Sequence, residues 1–178
     1  MTRIAAFALA LLCLPASAAT RLQTPDDEDM KAFRLTSDNV RKAAAVAHRL
    51  AVEVSKDPGL AQALAKKTGR AATLDAKAKA LEGDPRIASA LRAESISARE
   101  YVMVQLAAFQ AGMIAAIKAQ GVEMDPANIG EAMNPANVDF AETHPQEMEE
   151  LGRSQRELEK ASKPPGAAEQ GPLRGEKK

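Results

Sequence analysis

The fold turns on one stretch, Ser97–Gly121, "SAREYVMVQLAAFQAGMIAAIKAQG". "SARE" is a capping box: the Ser97 oxygen can accept from the N–H of Glu100, and the Glu100 side chain can reach back to Ser97. The spacing predicts a helix over 98–120, closed by Gly121 as a left-handed cap. Its middle is apolar on almost every side. Such a helix either crosses a membrane or forms the centre of a bundle. A span needs about 20 apolar residues. Tyr101–Ile117 falls short of that and carries Gln105 and Gln110, whose amides are costly in lipid. The core reading is therefore preferred.

Ala108, Gly112 and Ala116 recur at four-residue spacing and predict a close approach by another helix. Leucine at Gly112 is expected to overpack that contact. Met103 and Met113 read as core filler. Tyr101, Gln105, Phe109, Gly112 and Met113 together mark a possible ligand or packing groove beside the central helix.

The elements before this helix are punctuated by "DPGLAQALAKK" (Asp57–Lys67) and "DPRIASALRAE" (Asp84–Glu94). Each aspartate is placed to cap a helix and each proline fits the first helical turn, where no N–H bond is needed. No third copy follows, and a solenoid needs at least three. Two equivalent helix starts are the reading, each laying a turn of apolar residues (Leu60 and Leu64; Ile87 and Leu91) toward the central helix. Further upstream, Val40, Ala43, Ala44, Ala47, Leu50, Ala51 and Val54 give one apolar helix face, capped by Thr36 or Ser37. Another short helix is expected over 73–82.

Downstream, Asn134-Pro135 opens a short helix. Pro145 breaks it, with Thr143 and Gln146 as a second capping box, and a polar helix runs to about Ala161. Only Met148, Leu151 and Leu158 give that last helix an apolar seam, so it is expected to pack weakly or extend outward. Alanine is abundant and no β-branched run alternates with period two. The fold class is all-α: a single compact bundle of about five to seven helices around a central apolar helix (98–120), with no disulfides.

The termini read differently. "MTR", the apolar run Ile4–Leu14 and "PASAA" make the three parts of a secretory signal peptide over 1–19, with Ala16, Ala18 and Ala19 at the cleavage region. Cys13 follows Leu12, so the small residue a lipoprotein signal requires is absent. If Cys13 leaves with the signal, the mature chain has no thiol chemistry. Residues 20–34 read as a flexible lead-in, 35–162 as the helical domain and 163–178 as a disordered tail. An exported protein is expected, periplasmic or secreted.

Composition narrows the function. There are 24 basic and 24 acidic residues, so no basic surplus is available to neutralise phosphates and nucleic acid is not an expected partner. His48 and His144 have no metal-ligand spacing, and the methionines never cluster as a Cu(I) site would. No serine sits in a nucleophile elbow, and the Asp26–Asp29 acids lack a calcium-loop glycine. No cofactor, metal or catalytic residue is predicted.

Leu35-Thr36, Ser97-Ala98-Arg99-Glu100-Tyr101, Gln110-Ala111 and Asn134-Pro135-Ala136-Asn137-Val138 together resemble a set of small exported all-helical bacterial proteins without a known activity. The resemblance implies the fold and no reaction. Three readings stand. The first is a non-catalytic module that binds a protein partner or self-associates. The second is a carrier of a small apolar ligand beside the central helix. The third is an enzyme.

Overall fold

The computed structural model describes residues 25–124, 129 and 133–163. Those residues form eight α-helices: α1 (Pro25–Ala32), α2 (Ser37–Lys56), α3 (Pro58–Gly69), α4 (Leu74–Glu82), α5 (Pro85–Ala93), α6 (Ala98–Lys118), α7 (Pro135–Thr143) and α8 (Pro145–Ser162). No strand occurs among them. The all-α bundle expected from the alanine-rich pattern is the observed architecture. The signal segment, the start of the lead-in, residues 125–128 and 130–132, and the tail beyond Lys163 lie outside the described residues.

Local cap chemistry sets most boundaries. Thr36 and Asn39 form a reciprocal box on α2: the Thr36 hydroxyl accepts from Asn39 N–H (3.2 Å) and the Asn39 side chain accepts from Thr36 N–H (2.9 Å). Asp57 and Asp84 cap α3 and α5, accepting from Gly59 N–H (3.1 Å) and Arg86 N–H (2.9 Å). The Ser97 hydroxyl accepts from Glu100 N–H at 3.1 Å to open α6. Gly121 takes φ +80 after α6, the left-handed conformation its position requires.

One terminus went unread. α5 ends in a full Schellman motif: Ile96 N–H donates to Leu91 O (3.2 Å) and Ser95 N–H to Arg92 O (3.1 Å). The left-handed position is filled by Ser95 at φ 52 rather than by glycine. Ile96 is buried and completes the motif's apolar contact.

The core draws side chains from all eight helices, among them Met30 of α1, Leu60 of α3, Ile114 of α6 and Leu151 of α8. Val104, Ala107 and Ala111 of α6 are fully buried. They form the close-packed stripe, displaced around the helix from Ala108, Gly112 and Ala116. Gly112 itself is only half-buried. A Cβ there would meet the Met148 Cε at 3.7 Å, an ordinary contact with a flexible side chain, so the close helix approach expected at Gly112 does not occur. Met113 is also not core filler: it is 49% exposed, because the second half of α6 is covered on one side only.

Two further expectations change. Residues 25–32 are not a loose lead-in but a helix tied down by its acids. The Asp26 carboxylate accepts from Leu74 N–H at 2.8 Å, and Arg99 bridges Asp29 (2.5 Å) and Asp75 (2.8 Å). That one guanidinium therefore joins α1, α4 and α6.

The last helix, α8, neither extends outward nor packs weakly. It runs beside α2 in the most extensive helix pair of the bundle. Ser37 meets Glu147 and His48 meets Glu157, partners 110 and 109 residues apart in sequence. A constant offset means that α2 and α8 are parallel. Ala44 and Ala47 of α2 are buried, and such small side chains let the α8 backbone come close. A largely polar helix can then dock through a narrow seam, with Leu151, Gly152 and Ser154 buried. Burying Leu151 supplies about 1.5–3 kcal/mol.

The expected Thr143–Gln146 box is absent as well. Thr143 is the last residue of α7, and its hydroxyl donates back to Asp139 O at 2.7 Å. His144 takes the cap position of α8 without a side-chain cap bond.

Candidate functional site

The residues singled out beside the central helix largely share one face of α6, which α8 touches at two points. The Gln105 and Gln155 amides are hydrogen-bonded, and Met148 lies over Gly112. As the α6 number rises the α8 number falls, so these two helices are antiparallel. Tyr101 is buried, and burial pushes its phenol well above the ordinary tyrosine range. Phe109 is half-buried and Met113 turns away toward solvent. The amide nitrogen of Gln105 and the amide oxygen of Gln110 are buried without a partner.

The open space lies elsewhere, on the outer face of α2. A trough of about 790 Å³ separates α2 from α5, and a second of about 400 Å³ separates α2 from α8. Ala45 and His48 line both, so the two form one continuous surface across α2. The floor is made of small side chains: Ala44 and Ala45 from α2, Ser89, Ala90 and Ala93 from α5, and Ser154 from α8. Val52, 44% exposed, gives the larger trough an apolar wall.

The rims carry charge of both signs. Arg49 pairs with Glu94 at 2.5 Å and His48 with Glu157 at 3.0 Å. Arg86 bridges the two cap aspartates, 2.9 Å from Asp57 and 3.1 Å from Asp84. The guanidinium holds both carboxyls below the usual aspartate range, chiefly by hydrogen bonding, and is itself held protonated by them. The doubled D-P pattern thus converges on one arginine at the trough's edge. Arg41 and Arg153 stand on the α8 side with Glu150.

No sequence motif marks this surface as a whole. Its one local trace is Ala45 and Val52, seven apart on α2, bracketing His48 and Arg49. The rest is assembled from three helices distant in sequence.

Neither histidine gathers a reactive group. His144 stacks on Phe140 (ring centroids 4.2 Å apart) and its Nδ1 lies 2.9 Å from the Thr143 hydroxyl. Among the described residues no group of three or more His, Cys, Asp and Glu is placed to share a metal ion. Comparison with protein-family models, with curated proteins and with solved structures gives no match to this chain.

Proposed function

We propose that the chain is an exported, non-catalytic helical module that binds a protein partner or a second copy of itself, and that the outer face of α2 is the contact surface. One observation carries this reading: the trough is open, floored with alanine and serine, and rimmed by acids and bases together. Small floor residues admit a polypeptide backbone. Mixed charge matches the polar rim of a protein contact, whereas a polyanion would favour a single-signed surface. A small apolar ligand favours an enclosed, mainly apolar pocket. Export rests on the Met1–Ala19 pattern, and the periplasm is the compartment proposed. The α6 helix is long and apolar enough to cross a bilayer by length and composition. Its fully buried Val104, Ala107 and Ala111 support a role in the core instead.

The test is site-specific photo-cross-linking in the native envelope fraction. A photoreactive residue at Ser89, inside the trough, is expected to give discrete protein adducts. The same residue at Lys79, exposed on α4, is expected to give none. Equal adducts from both positions, or none from Ser89, would contradict the reading. Native mass spectrometry of gently purified chain is expected to show no retained small molecule, and a retained lipid would favour the carrier reading.

A further inference from the structure

We infer that α8 is an exchangeable helix: in a self-associated form, α8 of each copy occupies the α2/α6 seat of the other. The inference rests on the self-association half of the reading above and names its occupant.

The first observation is the seat. The contacts α8 makes with α2 and α6 come from residues far earlier in the chain: Ser37 with Glu147, His48 with Glu157, Gln105 with Gln155, and Gly112 beneath Met148. With α7, its own neighbour in sequence, α8 makes far less contact than with α2. The seat therefore exists complete in any copy, whichever chain supplies the helix. An exchanged pair makes the same contacts as a closed monomer, which is why exchange is an inexpensive route to a dimer.

The second observation is the hinge. One non-helical residue, His144, separates the last residue of α7 from the first of α8. It sits at φ −123, ψ 54. Its N–H donates to Phe140 O at 2.8 Å and its ring stacks on Phe140, while its carbonyl accepts from Met148 N–H at 3.2 Å and α8 starts without a side-chain cap. Bringing φ and ψ of this single residue to helical values would merge α7 and α8 into one rod. A rod cannot fold back onto its own α2. Pro145 opposes that rotation, because the residue before a proline avoids the helical region. A short hinge between packed helices is the geometry in which exchange arises.

The contacts that hold α8 are mixed in kind. Leu151 is the deeply buried side chain of α8, Ser154 is buried beside it, and Met148, Leu158 and Ala161 pack partly buried against the core. The Gln105–Gln155 contact leaves the Gln105 amide nitrogen unpartnered. The His48–Glu157 pair is exposed on both sides and contributes little.

The test uses two single-cysteine versions of the full chain, both with Cys13→Ser: one His48→Cys, the other Glu157→Cys. They are mixed at high concentration and treated with a short thiol–thiol cross-linker. A covalent heterodimer is expected, since these two positions are neighbours only where α8 of one copy lies on α2 of the other. Pro145→Ala in both copies is expected to raise its yield several-fold. Insertion of Gly-Gly-Ser after His144 is expected to lower it, by letting α8 fold back on its own chain. The insertion arm decides the matter if circular dichroism shows Pro145→Ala to be misfolded. A dimer by light scattering without the 48–157 adduct would overturn exchange and leave self-association through another surface. A monomer at all concentrations would overturn both, leaving partner binding at the trough. An adduct whose yield ignores the hinge variants would also overturn exchange.

Discussion

Replacing Asn137 by alanine should be among the most damaging single changes in this bundle. Asn137 is 1% exposed. Its Oδ1 accepts from Leu35 N–H at 2.8 Å and its Nδ2 donates to Phe33 O at 3.0 Å. Both partners lie in the link between α1 and α2, over a hundred residues away in sequence. The link carries no regular ladder there, so this side chain satisfies its backbone. Alanine leaves a buried donor and a partly buried acceptor unpaired, each costing about 1–3 kcal/mol. The expected loss is about 2–4 kcal/mol, the lower end allowing water to reach the carbonyl. At about 2–4 °C per kcal/mol, the melting temperature should fall by about 4–16 °C. Urea unfolding followed by circular dichroism measures this directly. Asn137→Asp gives a second reading. One carboxylate oxygen still accepts from Leu35, but the other faces the Phe33 carbonyl, acceptor against acceptor. That raises the folded-state pKa of the new acid above its unfolded value of about 3.9. The neutral acid can donate to Phe33, so this variant should recover relative to Asn137→Ala as pH falls toward 4. A loss under about 0.5 kcal/mol for Asn137→Ala, the scale of an ordinary surface change, would refute the reasoning.

Three further outcomes are expected. Ser95→Gly should stabilise the chain by about 1 kcal/mol, since Ser95 holds a left-handed conformation that glycine adopts freely, and the urea midpoint should rise with an unchanged slope. Gly112→Ala should raise the melting temperature, by about 0.5–1 kcal/mol equivalent, because the added methyl meets only Met148 and the helix interior loses a glycine. Asp57 and Asp84 have folded-state pKa values below their unfolded ones, so their contribution is present above about pH 4 and lost as pH falls through the lowered values. Arg86→Gln should therefore flatten the acid limb of the stability curve below about pH 4, read as urea midpoints from neutral pH downward.

What the sequence reveals here is what is decided within a few residues. Thr36, Asp57, Asp84 and Ser97 cap their helices through bonds two or three positions along the chain, and each is legible as a letter pattern. What it conceals is decided across the fold. The acids of α1 read as solvated charge until Leu74 N–H and Arg99 are brought against them. Asn137 has no local pattern that marks it, and its role appears only when the α1–α2 link closes on it. The polarity of α8 suggests a loose helix because hydrophobic pattern alone weighs large side chains. Its docking depends on the alanines of α2 allowing close approach, and that is a property of the pair. Met113 looks like core by composition, but α6 is covered on both sides only in its first half. The trough has no local motif because α2, α5 and α8 each supply part of it.

The central claim is that α8 lies against α2, closing one side of the trough. Hydrogen-exchange mass spectrometry of the full chain at neutral pH tests it most directly. Amides across 145–162 should exchange far more slowly than in a free peptide of that sequence, and the 37–56 segment should be protected with them. Free-peptide exchange across 145–162 beside a protected 37–56 segment would contradict the account, because the trough would then lack its α8 wall.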